Sequence, residues 1–181
     1  IFWINKYDQC NNQNKMNFSF SDYYNMYKKQ GIRLPICYFF ENHLFDLLNH
    51  TNTHFWLPKS KYSTKPKSLS NGVLYMSSWT SIIKKSTQKA ISILKTKGNY
   101  QLIDIGCGKG KVLCVWELMF KKDSLKILGI EYSEELIKIC LENLKIINSQ
   151  RTVVIKMDAL NLNLDELEDN LLIYLYNPLT K

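Results

Sequence analysis

The chain has 181 residues, 45% of them hydrophobic and 13% aromatic, with a formal net charge of +8. That is the size of one domain with ample material for a core, which excludes disorder over most of its length. No apolar run approaches the roughly 20 residues of a spanning helix, and residues 1–6 lack the layout of a secretion signal, so a soluble cytoplasmic protein is expected.

The five cysteines (Cys10, Cys37, Cys107, Cys114, Cys140) are odd in number and never form a C-x-x-C pair. Reduced thiols fit them better than a disulfide framework or a zinc knuckle. Charge is uneven: residues 1–100 hold 14 Lys and Arg against 4 Asp and Glu, while residues 101–181 hold 10 against 12. A basic first half suits a polyanionic partner such as nucleic acid.

Residues 18–30 mix polar and aromatic side chains, and the apolar spacing of residues 36–48 predicts a helix. From 57 to 71 the composition turns to Lys, Ser, Pro and Thr, with Pro58 and Pro66 breaking any regular element. This linker, with its solvated Lys59, Lys61, Lys65 and Lys67, closes a lead-in of residues 1–71 and separates it from a second unit at 72–181. Ser77 or Ser78 is placed to cap a helix running through Ile82, Ile83, Ala90, Ile91 and Leu94, which Gly98 ends.

Beyond Gly98, short apolar strands alternate with amphipathic helices. Strands are predicted at 101–105, 126–131, 152–157 and 171–176, and helices at about 109–120 and, after a capping Ser133, 134–147. Near-continuous Ile, Leu and Val in strands each followed by a helix are what a parallel sheet covered on both faces requires. The expected class is α/β, doubly wound and mainly parallel, with a helical N-terminal lead-in. The chain starts without Met and stops soon after the fourth strand, so it reads as a fragment, with that strand an apolar edge inviting self-association.

The turn after the first strand reads Asp104-Ile105-Gly106-Cys107-Gly108-Lys109-Gly110 and opens a helix. Glycines let a backbone approach a ligand closely, and amides at a helix start point towards it. A dinucleotide fingerprint would place its third glycine where Lys111 stands, which demotes NAD and FAD. Asp104 is placed to hold an ammonium group of an amino acid. Glu131, 21 positions after Gly110, closes the second strand where a carboxylate can accept from both hydroxyls of a ribose. Asp158, past the third strand, is placed to accept from an exocyclic amine such as that of adenine. Adenosine joined to an amino acid describes S-adenosylmethionine. A metal site built on His43, His50, His54 and Cys37 lacks a fourth ligand at suitable spacing, and none is expected.

Residues 100–178 resemble a class I, Rossmann-like methyltransferase, with Asp104 to Gly110 as its first motif and Gly129-Ile130-Glu131 as its second. The resemblance implies that Asp104, Gly106, Cys107, Gly108, Gly110, Glu131, Tyr132, Asp158 and Ala159 line the cofactor, with Met157-Asp158-Ala159 as the adenine segment. Tyr176-Asn177-Pro178 is similar to the end-of-strand motif of amino-group methyltransferases, although Leu179 and Thr180 depart from it. Asn177 and Pro178 are therefore the catalytic candidates, for transfer to a nitrogen on a protein or nucleic acid. A nucleotide-binding oxidoreductase domain and a non-catalytic cofactor-binding module are the alternatives.

Overall fold

A computed structural model describes residues 20–55, 75–121 and 125–176. The basic linker and the candidates Asn177 and Pro178 lie outside the described residues.

The lead-in is helical. Helix α1 (Phe20–Gln30) forms where the sequence offers no clear period; it buries Met26, carries Asp22 in its first turn and Lys28 and Lys29 in its last, as the helix dipole favours. Helix α2 (Arg33–Tyr38), a wide turn (Phe39–His43) and helix α3 (Leu44–Asn49) then run on without a break, beginning three residues before the predicted helix. The run turns Asn42, Phe45 and Asp46 inward and ends at His50, in the left-handed conformation.

Helix α4 (Thr80–Leu94) corrects the sequence reading at its start. Neither Ser77 nor Ser78 caps it; Trp79 is the boundary residue and makes no side-chain cap. Glu41 of the lead-in takes that role, its Oε2 accepting from the Ser81 amide at 2.7 Å and its carbonyl from the Thr80 hydroxyl at 2.7 Å. A carboxylate at the positive end of a helix is favourable wherever in the sequence it comes from.

Strands β1 (Gln101–Ile105), β2 (Lys126–Glu131), β3 (Thr152–Lys156) and β4 (Leu171–Leu175) form one parallel sheet in the order β3-β2-β1-β4. Helix α5 (Lys111–Met119) follows β1 and α6 (Glu134–Ile146) follows β2; as expected, the Ser133 hydroxyl caps α6, accepting from the Leu136 amide at 3.3 Å. Registered neighbours share a face of the sheet. One face presents Leu102, Ile127 and Leu172 with Gly129, Val154 and Tyr174, and packs under α4, α5 and α6 around the fully buried Leu113, Trp116 and Ile83. The other presents Ile103, Leu128, Val153 and Ile173, then Ile105, Ile130, Ile155 and Leu175. Among the described residues it is met only by Met157, Leu162 and Leu167 of the β3–β4 crossing, leaving Val153 59% and Leu175 57% exposed.

Candidate functional site

The strand after which the glycine loop departs lies between β2 and β4, at the point where the strand order reverses. Crevices at the carboxyl ends of a parallel sheet open at such points. The loop is stapled to the next strand: the amides of Gly106 and Cys107 both donate to the Ile130 carbonyl, at 2.8 and 2.9 Å. Two of its glycines are required by close approach. A side chain on Gly108 would run into the Tyr75 ring, and one on Gly110 into the Cys140 sulfur, both at positive φ.

Glu131 at the end of β2 turns back over this loop. Its Oε2 accepts from the Gly108 amide at 2.8 Å, and its Oε1 from the amides of Tyr132 and Ser133 at 2.8 and 2.9 Å. Burial pushes its carboxyl up while the three amides pull it down. The amides fix the orientation and leave each oxygen a further lone pair, which is the geometry a ribose diol needs. Asp104, 3% exposed, closes β1. Burial and then repulsion from Glu131 hold its carboxyl well above the usual range. A cationic ligand group beside it would restore the ionised form. Cys107 is no nucleophile: its hydrogen bond with Cys140, and then burial, raise the thiol well above its usual range and remove the thiolate.

The lead-in is tied to the glycine loop and to Tyr75. Lys109 Nζ donates to the Phe55 carbonyl at 2.5 Å, and the Tyr75 hydroxyl donates to the Thr53 carbonyl. Asn143 of α6 ties three segments together, accepting from the Asn52 amide at 2.8 Å and donating to the carbonyls of Asn52 and Lys109 at 3.2 and 2.9 Å. Within the lead-in the Asp46 carboxylate accepts from the hydroxyls of Thr51 and Thr53, from the amides of Thr53 and His54, and from His54 Nδ1. His54 Nε2 in turn lies 3.0 Å from His43 Nδ1. The histidines considered as metal ligands thus brace a loop, and His50, exposed, stands apart from them.

A shallow open pocket is lined by Tyr75, Ser77, Asp104, Gly106, Lys111 and Tyr176, among others. The sequence-predicted residues Asp104, Gly106 and Cys107 meet here, and Glu131 holds the same loop through the Gly108 amide. Met157 donates its amide to the Glu131 carbonyl at 3.0 Å, which sets Asp158 and Ala159 beside the end of β2. The Asp158 Oδ1 accepts from the Leu160 amide at 3.0 Å, a turn cap, and Ala159 and Tyr132 are exposed. Lys111 and Tyr176 join the wall without having been singled out as site residues. For Lys111 a signal was available: a cation opening a helix that is otherwise apolar through Val112-Leu113-Cys114-Val115-Trp116 has no ordinary reason to be there.

Residues 37–161 match the family described as protein-L-isoaspartate(D-aspartate) O-methyltransferase. The chain belongs to that family. The match begins inside the lead-in, so the family pattern takes in the Asp46 loop as well as the glycine motif. Similar solved structures include the plantazolicin methyltransferase BpumL in complex with SAH, at 24% identity over 52% of this chain and 35% of that one, with a TM-score of 0.39. The precorrin-6y C5,15-methyltransferase of Geobacter metallireducens is 16% identical over 64% of this chain and 55% of that one, at a TM-score of 0.42. A protein-L-isoaspartate O-methyltransferase is 15% identical over 65% and 40%, at 0.44. The chain thus spans between 35% and 55% of the length of these structures. No curated protein matches the chain.

Proposed function

We propose that the protein binds S-adenosylmethionine and transfers its methyl group to a nitrogen on a protein or nucleic acid, in the cytoplasm. The observation that carries the cofactor is the pair of carboxylates at the carboxyl edge, Glu131 held by three amides over the Gly108 backbone and Asp104 buried at the end of β1. Together they suit a sugar diol and an ammonium group. A nicotinamide cofactor would use the ribose-binding carboxylate but has no ammonium for Asp104, and membership in a methyltransferase family favours the methyl donor.

When bound, the cofactor supplies a methyl group already activated on a sulfonium. The residues of this chain then bind and aim. Glu131 accepts from the ribose hydroxyls, Asp104 from the ammonium, and Asp158 and Ala159 border the adenine. Asn177, through its side-chain oxygen, and the backbone carbonyl before Pro178 accept the N–H groups of the incoming nitrogen. The methyl carbon would come from the cofactor with its sulfur as the leaving group, while Asn177 would hold the nitrogen in line and the proton the nitrogen loses would pass to water. Alignment accounts for the acceleration.

The family match favours a second acceptor, a carboxyl oxygen of an aspartyl-type residue in a peptide. Methyl-labelled S-adenosylmethionine incubated with peptide and nucleic-acid acceptors separates the two. An N-methyl product survives mild alkali and is lost in Asn177→Ala, whereas a methyl ester is released by alkali. Label that stays on neither class of acceptor sinks both.

A further inference from the structure

We infer that the outward face of helix α4, with the exposed rings mounted on the turn that caps it, is a docking surface for single-stranded nucleic acid. It uses no residue of the glycine loop and stands apart from the methyl-donor reading.

Helix α4 has no acidic side chain along its 15 residues, and it buries Ile83, Thr87 and Ile91 one turn apart. Lys85 and Lys89 stand two positions on from Ile83 and Thr87, about 200° round the helix, and so face outward. Lys84 flanks them, and all three are exposed. None of the three forms an ion pair among the described residues. The carboxylate that does reach the helix, Glu41, is taken by the Ser81 amide. Like charges four apart weaken a helix, and a polyanion laid along this face reverses the sign of that contribution.

The neighbouring surface says which polyanion. Glu41 sits on the wide turn Phe39–His43, so Phe40 stands beside the first turn of α4. Helix α1 rests on the same turn, with the rings of Tyr23 and His43 5.7 Å apart between centroids. That helix carries Tyr24 and Tyr27, three positions apart on one face, with Lys28 Nζ 4.9 Å from the Tyr24 ring centroid. Phe40, Tyr24 and Tyr27 are each more than half exposed. Rings give unpaired bases a face to stack on while ammonium groups follow the phosphates. An acidic peptide has no bases to stack. A lipid surface would need the apolar row of α4, which the core already occupies.

The test is fluorescence anisotropy of a labelled oligothymidine titrated with the full chain. A fourfold rise in salt should weaken wild-type binding about 20-fold, the slope of three lysine contacts on a single strand. Lys84→Gln, Lys85→Gln and Lys89→Gln combined should weaken binding on the order of 10-fold at low salt and flatten that slope. Tyr24→Ala with Tyr27→Ala should cost on the order of 10-fold at both salt concentrations and leave the slope as it is. Gln at the exposed Lys121, Lys138 and Lys145 removes the same net charge elsewhere, and should leave binding within about 2-fold. All of these side chains are exposed, so the melting temperatures should match wild type. Equal losses from the two lysine sets would mean that net charge alone is read, and would overturn the surface. So would full affinity in the tyrosine variant, tighter binding to polyglutamate or to phosphatidylserine vesicles than to the oligonucleotide, or no binding by wild type.

Discussion

The two faces of the sheet are built from the same residue types and are treated in opposite ways. Ile, Leu and Val line both, yet one lies under α4, α5 and α6 with Leu102 and Leu113 fully buried, while the other buries Ile103, Leu128 and Ile130 at its centre and, among the described residues, leaves Val153, Ile155, Ile173 and Leu175 between 39% and 59% exposed. Hydrophobic composition therefore says where a strand can be buried, and connectivity says on which side it is. The site depends on the covered face: the glycine loop and α5 leave β1 on that side, Asp104 shares its register with Gly129 and Tyr174 there, and α6 delivers Asn143 and Cys140 to the loop.

The contrast breaks most visibly under truncation. Leu113→Ala on the covered face should cost about 2–5 kcal/mol in denaturant unfolding, whereas Ile173→Ala on the open face should change stability by only about 0.5 kcal/mol. Similar losses from both would mean that the two faces are equally enclosed.

A smaller effect concerns the Asp104 carboxyl at the edge of the covered face. The folded state holds the Asp104 carboxyl well above its ordinary pKa of 3.8, so the folded protein binds the proton more tightly than the unfolded chain. The group therefore costs stability at neutral pH, and that cost is relieved as pH falls through the folded value towards the ordinary one. Asp104→Asn should raise the melting temperature of the ligand-free protein at pH 7, with the gain shrinking on acidification and vanishing below about pH 4, while binding of S-adenosylhomocysteine is lost. A gain independent of pH would locate its cause elsewhere.

The smallest change in stability, with the clearest change in behaviour, is expected on the open face. Val153→Lys with Ile155→Lys should leave unfolding within about 0.5 kcal/mol and reduce self-association measured by sedimentation, because exposed edge and face positions tolerate charge and charge blocks pairing. Unaltered association would clear this face of responsibility for it.

Much of this was legible in the sequence where the determinants are local. Strands β1 and β2 and the Ser133 cap stand where hydrophobic runs and a hydroxyl before Glu134-Glu135 put them. The Gly106-x-Gly108-x-Gly110 spacing and Glu131 come together because both hang on adjacent parallel strands. What escaped has partners far along the chain. The start of α4 is capped by Glu41, some forty residues away, so a search for a nearby Ser finds the wrong residue. Helix α1 buries only Met26, too little apolar contact to print a period on its sequence. Lys111 was read as standing where a third glycine would be; only the tertiary fold encloses its charge, against the Phe45 ring.

Asn143 joins atoms 91 and 34 positions away in the sequence, in the lead-in and in the glycine loop. Closing loops of that length costs chain entropy before any contact offsets it. The surroundings of the glycine loop therefore depend on contacts that only the whole folded chain brings together. A peptide from Asp104 to Glu131 carries the glycine motif and both carboxylates, yet without α6 and the lead-in it has no pocket for them to line.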